Sequence, residues 1–321
     1  MEDTRIVAID PADAPDPFDV IHADCIAGRS DELLSKMWDI PFSKYISKKD
    51  ISSHGLMDIL RSPAHYYAHT HLGLDKDTPA KKRGRLVHTA VLEPKRFREN
   101  YKVAPAEARN TTIGKNKYAK FIMDLKPHDI VVQPDEVTQI TAMIRAMKRH
   151  QVAWNLILHG ISEQCGWWRD EKGYLCKWRP DKTIERLGIV IDYKTARDAS
   201  FEAFRRDMFN YKYDMQAYWY CQGGMRRWNK PVRKFIFIAQ EPEEPYAVGV
   251  YVANDVVYEV GEKRTRIAKM RYEQCLEREV DLKAKGKPYD WEDVWNAYPP
   301  EAVDIDLPHY AMSQVEDVND V

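Results

Sequence analysis

Between residues 51 and 158, apolar side chains recur every three or four positions, the spacing of amphipathic helices. A helix is predicted over 51–69, with Leu56, Ile59 and Leu60 on one stripe and Ser52 or Ser53 able to cap its start. A second is predicted over 84–93, where Leu86, Val87, Ala90 and Val91 form the apolar face and Pro94 stops the helix. After a polar stretch at 110–116 come helices at 118–125 and 134–158, the latter with Ile140, Met143, Ile144 and Met147 on one side. The period then changes. Residues 161–169 and 174–180 read as strands around the turn Asp170-Glu171-Lys172-Gly173, and 188–195 reads as a third. Helices at 200–209 and 213–228, strands at 232–240 and 246–252, and a long helix at 256–285 complete the pattern.

Helices on both sides of a central run of strands predict a mixed α/β or α+β fold around one central mixed sheet. Residues 1–45, rich in Asp and Pro, read as an acidic arm, 46–288 as one domain, and 289–321 as an acidic tail. The chain has 321 residues, 44% of them hydrophobic, with nine Trp, nine Phe and eighteen Tyr, which excludes disorder along its whole length. No run reaches the roughly 18 apolar residues of a membrane span, and the acidic N-terminus does not read as a secretory signal. Cys25, Cys165, Cys176, Cys221 and Cys275 are scattered without a C-x-x-C pair. A disulfide framework, a four-cysteine zinc site and an iron–sulfur cluster are not expected, and a reducing cytoplasm is.

The net charge of −1 hides a polarised distribution. Residues 81–120 hold twelve Lys or Arg against three Glu, whereas 291–321 hold eight acidic residues and no Lys or Arg. The first block suits a polyanion, although a solvated basic helix gives the same count.

The chemistry concentrates in Arg179-Pro180-Asp181 and, ten residues on, Ile191-Asp192-Tyr193-Lys194. Along a strand, Val190, Asp192 and Lys194 share one face and Ile189, Ile191 and Tyr193 the other. Charges inside an apolar strand need a partner, a metal or water. If the strand ending at Asp181 neighbours this one, the two carboxylates converge on a point suited to a hard divalent cation, with Lys194 close by. A D-x-K triplet alone is equally what a surface ion pair on a strand edge produces.

Pro180-Asp181 with Asp192-Tyr193-Lys194 resembles the PD-(D/E)XK nuclease signature. Four further segments resemble its exodeoxyribonuclease VIII (RecE) branch: the opening helix from Ile51-Ser52-Ser53 to Arg61-Ser62-Pro63-Ala64-His65-Tyr66; the G-x-x-x-H helix Gly84-Arg85-Leu86-Val87-His88, which RecB-type nucleases share; Cys176-Lys177-Trp178-Arg179-Pro180-Asp181-Lys182; and the Q-x-x-x-Y helix Gln216-Ala217-Tyr218-Trp219-Tyr220. The likeness spans about residues 50–255. It implies a restriction-endonuclease-like core with a central mixed sheet flanked by helices. It also implies that Asp181, Asp192, His88 and the backbone carbonyl of Tyr193 ligate a metal, with Lys194 acting on the attacking water. Glu163, placed on the first predicted strand, would stand in or beside the metal shell, and Gln216 and Tyr220 would line the site. Ser53, Arg83 and Arg85 are candidates for a terminal DNA phosphate, and Arg83 and Arg85 read equally as solvated charges. Of the adjacent Trp167 and Trp168, at least one belongs to the core, because neighbours on a strand face opposite sides.

The resemblance further implies a Mg²⁺-dependent exonuclease, with Mn²⁺ able to substitute, acting 5′ to 3′ on linear double-stranded DNA ends and leaving 3′ overhangs. With it come a ring-shaped homo-oligomer, a single-strand annealing recombination protein as partner, and a phage or prophage origin in a bacterial cytoplasm. No G-x-x-x-x-G-K-[ST] motif is present, so ATP is not expected. Two other readings stand beside this one: a RecB-type nuclease of single-stranded or flap DNA, and a non-catalytic DNA-binding or phage assembly protein.

Overall fold

The computed structural model describes residues 37–38, 42–286 and 288–306. Of the predicted arm, 1–36 and 39–41, and of the predicted tail, 307–321, lie outside the described residues. In chain order the elements are β1 (Met37–Trp38), α1 (Phe42–Ser47), α2 (Ser53–Arg61), α3 (Pro63–Thr70), α4 (Pro79–Leu92), α5 (Pro94–Asn100), β2 (Tyr101–Val103), α6 (Thr112–Asp124), β3 (Ile130–Val132), α7 (Pro134–Arg149) and α8 (Gln151–Leu158). There follow β4 (Ile161–Ser162), β5 (Cys165–Arg169), β6 (Leu175–Trp178), β7 (Lys182–Ile184), β8 (Ile189–Thr195), α9 (Phe201–Asn210), α10 (Tyr213–Trp228), β9 (Lys234–Gln240), β10 (Val248–Val252), α11 (Asp255–Ala284) and α12 (Trp291–Val294). None of the described helices is long and apolar enough to cross a membrane.

Five strands form the central sheet, in the order β10-β9-β8-β7-β4. It is mixed: β8 and β9 run parallel, while β10–β9, β7–β8 and β4–β7 are antiparallel. A separate three-stranded sheet has the order β1-β5-β6, and β2 pairs with β3 in parallel. Alternation along β8 and β9 divides the core into two layers. Val190, Phe235, Phe237 and Ala239 pack with Trp178, Trp219 and Leu56 on the side of α2, α10 and α11. Ile191, Tyr193, Ile236 and Ile238 pack with Leu86, Val87, Met143 and Met147 on the side of α4, α7 and α8. Helix α10 approaches closely: a Cβ on Gly223 would stand 2.6 Å from the Trp178 ring, and one on Gly261 of α11 would stand 2.2 Å from the Asp214 carbonyl oxygen. The segment at 291–295 joins the first layer, with Val294 and Trp295 buried. Tyr67 stacks on Trp291 there, centroids 4.9 Å apart.

Several predicted elements are divided. The helix expected over 51–69 breaks at Ser62, whose extended backbone precedes Pro63 and whose hydroxyl caps α3 by accepting from the His65 N–H. The helix expected over 134–158 breaks at His150, in extended conformation. Pro94, expected to stop a helix, also opens α5. Helix α6 begins inside the stretch read as polar loop, capped by Thr111.

The most consequential departure concerns the strands. Residues 174–180 and 188–195 are not neighbours. β6 ends at Trp178 and belongs to the three-stranded sheet. Its outer edge is occupied by Ile51, which accepts from the Lys177 N–H at 2.8 Å and donates to the Leu175 carbonyl at 3.0 Å. Pro180 lacks an amide hydrogen and cannot extend the ladder. The chain therefore crosses to the central sheet, where β7 becomes the neighbour of β8. The strand expected over 161–169 makes the reverse crossing between β4 and β5. Glu163 sits there with φ +58°, so it lies between two strands and not on one. Its amide donates to the Asp181 carbonyl at 3.0 Å, so the two crossings are hydrogen-bonded to each other.

Candidate active site

The β7–β8 ladder pairs Lys182 with Ile191. One step further, the Asp181 side chain takes the place of a backbone acceptor, and its Oδ2 accepts from the Tyr193 N–H at 2.6 Å. Amide and carbonyl of one strand residue point to the same side, so the Tyr193 carbonyl faces Asp181 as well. Burial, then the nearby Asp192 charge, hold the Asp181 carboxyl well above the usual carboxylate range, against the opposing pull of Lys194.

Glu163 comes from the other crossing. Its Oε2 accepts from Arg179 Nε at 3.0 Å. Burial first, then the Asp181 charge, raise its carboxyl to about 7, with Arg179 and His88 opposing. His88 reaches in from α4. Its Nδ1 lies 3.8 Å from Asp181 Oδ2, and its ring packs on Tyr193 with centroids 5.0 Å apart. Burial depresses its pKa, so the imidazole is neutral at pH 7 and able to ligate. His88, Glu163 and Asp181 thus each offer a ligand atom, all within 4.8 Å of one another.

Asp192 stands beside this trio on the other face of β8. It is fully buried, yet neither carboxylate oxygen accepts a hydrogen bond of regular geometry. Lys194 Nζ approaches Oδ2 to 2.6 Å as an ion pair and donates its regular hydrogen bond to Gln216 Oε1 at 2.9 Å. Burial by itself would lower the Lys194 pKa. The charges of Asp192 and Asp181 outweigh it and hold the ammonium well above the ordinary lysine value. On α10, Tyr220 lies one turn beyond Gln216. Its hydroxyl is pushed up by burial and then by Asp192 and Asp181, so it remains a proton-bearing donor.

This donor set fits a hard divalent cation. Burial, and then the neighbouring carboxylate, push two carboxyls toward their protonated forms, a cost that a cation would relieve; Asp192 keeps unused acceptor capacity, and a neutral imidazole faces them.

The structure therefore gathers His88, Glu163, Asp181, Asp192, Tyr193, Lys194, Gln216 and Tyr220 around one region. It does not bring Arg83 and Arg85 into that group. Both are on the exposed side of α4, where Arg83 pairs with Glu243 at 3.1 Å and Arg85 grips both oxygens of Asp77 at 2.8 and 2.7 Å. Ser53 is buried in the first turn of α2, and the capping hydroxyl belongs to Ser52. Trp167 and Trp168 are both buried, so neither is a free stacking platform. Three residues near the centre were given no site role by the sequence. Arg179 holds Glu163, the Tyr213 ring lies 4.8 Å from Lys194 Nζ, and the His54 imidazole is near enough to feel the charges of Lys194 and Asp192. Only Arg179 could have been suspected, from its position beside Pro180-Asp181.

The family described as "PDDEXK-like domain of unknown function (DUF3799)" matches residues 52–287. The chain belongs to this family. The PDDEXK-like match spans every residue of the cluster just described and supports a nuclease hydrolase of the PD-(D/E)XK superfamily. Among solved structures, a "putative exonuclease" from Eubacterium rectale aligns with a TM-score of 0.50 at 11% identity, covering 86% of this chain and 98% of that one. That likeness shows the PDDEXK-like fold, a mixed sheet flanked by helices. SSO0001 aligns at a TM-score of 0.27 and 14% identity over 72% of this chain and 88% of that one, too loosely to carry weight. No curated protein matches the chain in sequence.

Proposed function

We propose that the protein is a Mg²⁺-dependent exodeoxyribonuclease of the RecE type, acting on the ends of linear duplex DNA. The observation that carries this reading is the buried Asp192, whose oxygens accept no regular hydrogen bond and whose one close partner is the Lys194 ammonium at 2.6 Å, set beside the His88–Glu163–Asp181 trio. His88, Glu163, Asp181, Asp192 and the Tyr193 carbonyl are the groups that would hold the ion. The chemistry that a divalent cation would supply there is polarisation of a phosphoryl oxygen and a lowered pKa for bound water.

The chain's own side chains do the rest. Lys194 stays protonated between Asp192 and Asp181, so it acts as a hydrogen-bond donor. It orients the attacking water and offsets negative charge developing at phosphorus. Gln216 fixes the direction of the ammonium. Tyr220 presents a proton-bearing hydroxyl to the same charged region. Arg179 keeps the Glu163 carboxylate aimed at Asp181 and His88. Water attacks phosphorus in line with the leaving oxygen, and the P–O bond on the far side breaks. The basic stretch 81–120 would hold the DNA backbone through phosphate contacts, without base readout. The same reading extends to 5′-to-3′ polarity, 3′ overhangs, a ring-shaped assembly around the duplex, and a single-strand annealing protein as partner in a phage-type recombination system.

The test is nucleotide release with Mg²⁺ from linear duplex labelled at either end, with covalently closed circles as control. Release from linear duplex by the wild type, and not by Asp192→Ala or Lys194→Ala, is the expected result. Equal release by all three proteins would sink the assignment, and release from the 3′-labelled terminus first would reverse the polarity.

A further inference from the structure

We infer that Gln240 is a positioning residue for the metal centre, acting through Tyr193. This rests on the metal-dependent reading above and extends it to a residue outside the site.

Gln240 is the last residue of β9, fully buried, on the face that carries Ile236 and Ile238. An amide in that apolar layer is unfavourable unless its donors and acceptor are matched. Here they are. Nε2 donates to the Met143 carbonyl of α7 at 2.9 Å and lies 3.4 Å from the Tyr246 carbonyl. Two carbonyl oxygens on that side fix which end of the amide carries nitrogen. Oε1 is thereby turned to Tyr193, whose hydroxyl donates to it at 2.6 Å. Every group around this amide agrees on one orientation, and among the described residues the side chain it holds is that of Tyr193.

Tyr193 has no free rotation left once its hydroxyl is held. Its backbone amide donates to Asp181 Oδ2 at 2.6 Å, and its ring carries the His88 imidazole at a centroid distance of 5.0 Å. Two of the three clustered ligand side chains therefore rest on one residue, and that residue is anchored from behind by Gln240. The anchor also connects α7 to the centre, because the Met143 carbonyl belongs to that helix. Outer groups of this kind orient ligands, and their loss typically weakens metal binding by about 10- to 100-fold. A strand-end aliphatic residue would fill the same volume without such a network, so packing alone does not call for glutamine.

The experiment measures Mn²⁺ binding to the full chain by calorimetry without DNA, alongside thermal melts in EDTA. Gln240→Met and Tyr193→Phe are each expected to raise the Mn²⁺ Kd about 10-fold or more. The double variant is expected to do no worse than either single one, because both remove the same link. Ile238→Val, in the same layer but outside the network, is expected to lower the melting temperature and leave Kd within about twofold, a packing effect alone. If Gln240→Met does not fold, Tyr193→Phe carries the test by itself. Kd values within about twofold of wild type in folded Tyr193→Phe, or an equal rise in Ile238→Val, overturn the inference. Absence of Mn²⁺ binding by the wild type would instead remove the metal-dependent reading, and the inference with it.

Discussion

The buried centre and the basic rim use the same residue types in opposite circumstances. At the centre, Lys194 faces Asp192 with 16% and 0% of the side chains exposed. On the rim, Arg85 faces Asp77 with 50% and 44% exposed. The rim pair has regular hydrogen bonds, one guanidinium nitrogen shared between both carboxylate oxygens at 2.8 and 2.7 Å. Yet water and salt screen it, and its members are free to exchange partners. The central pair is buried, and neither oxygen of Asp192 accepts a hydrogen bond of regular geometry. Unmet capacity that is buried points to a missing chemical partner, whereas a satisfied pair at the surface points to a charge ready to be traded for a phosphate.

That contrast is broken most severely at the centre. Asp192→Asn should leave no measurable nuclease activity, and Lys194→Ala should lower kcat on linear duplex by about 10²- to 10³-fold. Urea unfolding of metal-free Lys194→Ala should also show a loss of about 3 kcal/mol, because Asp192 is left as an unpaired buried charge. Unchanged unfolding would mean that Asp192 is better solvated than its burial indicates.

The next effect is in pH. Glu163 is raised from 4.5 to about 7, and Asp181 in the same direction, so the folded state prefers both protonated. Their contribution to stability is full below the unfolded pKa and is lost as pH rises toward the folded value. For Glu163 that window is about pH 4.5 to 7, and the rise corresponds to about 3 kcal/mol. His88, depressed, works in the other direction, its contribution being present above its unfolded value and lost as pH falls. Melts in EDTA between pH 5 and 7 should therefore fall less steeply for Glu163→Gln than for wild type. Added Mg²⁺ should stabilise the wild type progressively more as pH rises. Parallel curves for the two proteins would show that Glu163 is not the titrating group.

Rim effects should be small. Arg85→Ala should change stability by less than about 1 kcal/mol. It should also reduce the salt dependence of DNA binding by about one unit of log–log slope if Arg85 touches phosphate. Smallest of all, Asp77→Asn should release Arg85 and strengthen DNA binding slightly, whereas weaker binding would mean that Asp77 presents the guanidinium and does not sequester it.

Much of the centre was legible because its signals are local. Asp192 and Lys194 are charges in an apolar strand, and alternation alone assigns them and Tyr193 to opposite faces. His88 and the Gln216/Tyr220 pair follow helical spacing. What the sequence could not show was which strand lies beside which. Residues 174–180 form a reasonable strand, but the edge of β6 is taken by Ile51 and the ladder is stopped at Pro180, and both facts depend on distant chain. Glu163 in a left-handed kink, and the broken helices at Ser62 and His150, likewise depend on what packs around them. Gln240 was read as the end of the strand over 232–240 and gave no further signal, because its partners Tyr193 and Met143 belong to distant elements.

The paired crossings at Glu163 and Asp181 have a mechanical consequence. Each carboxylate sits where the chain leaves one sheet for the other, so an ion gripped by both would be fastened to two sheets at once. Such an ion works as a rivet: the grip on it tightens only when the sheets are aligned, and alignment is held while it stays in place.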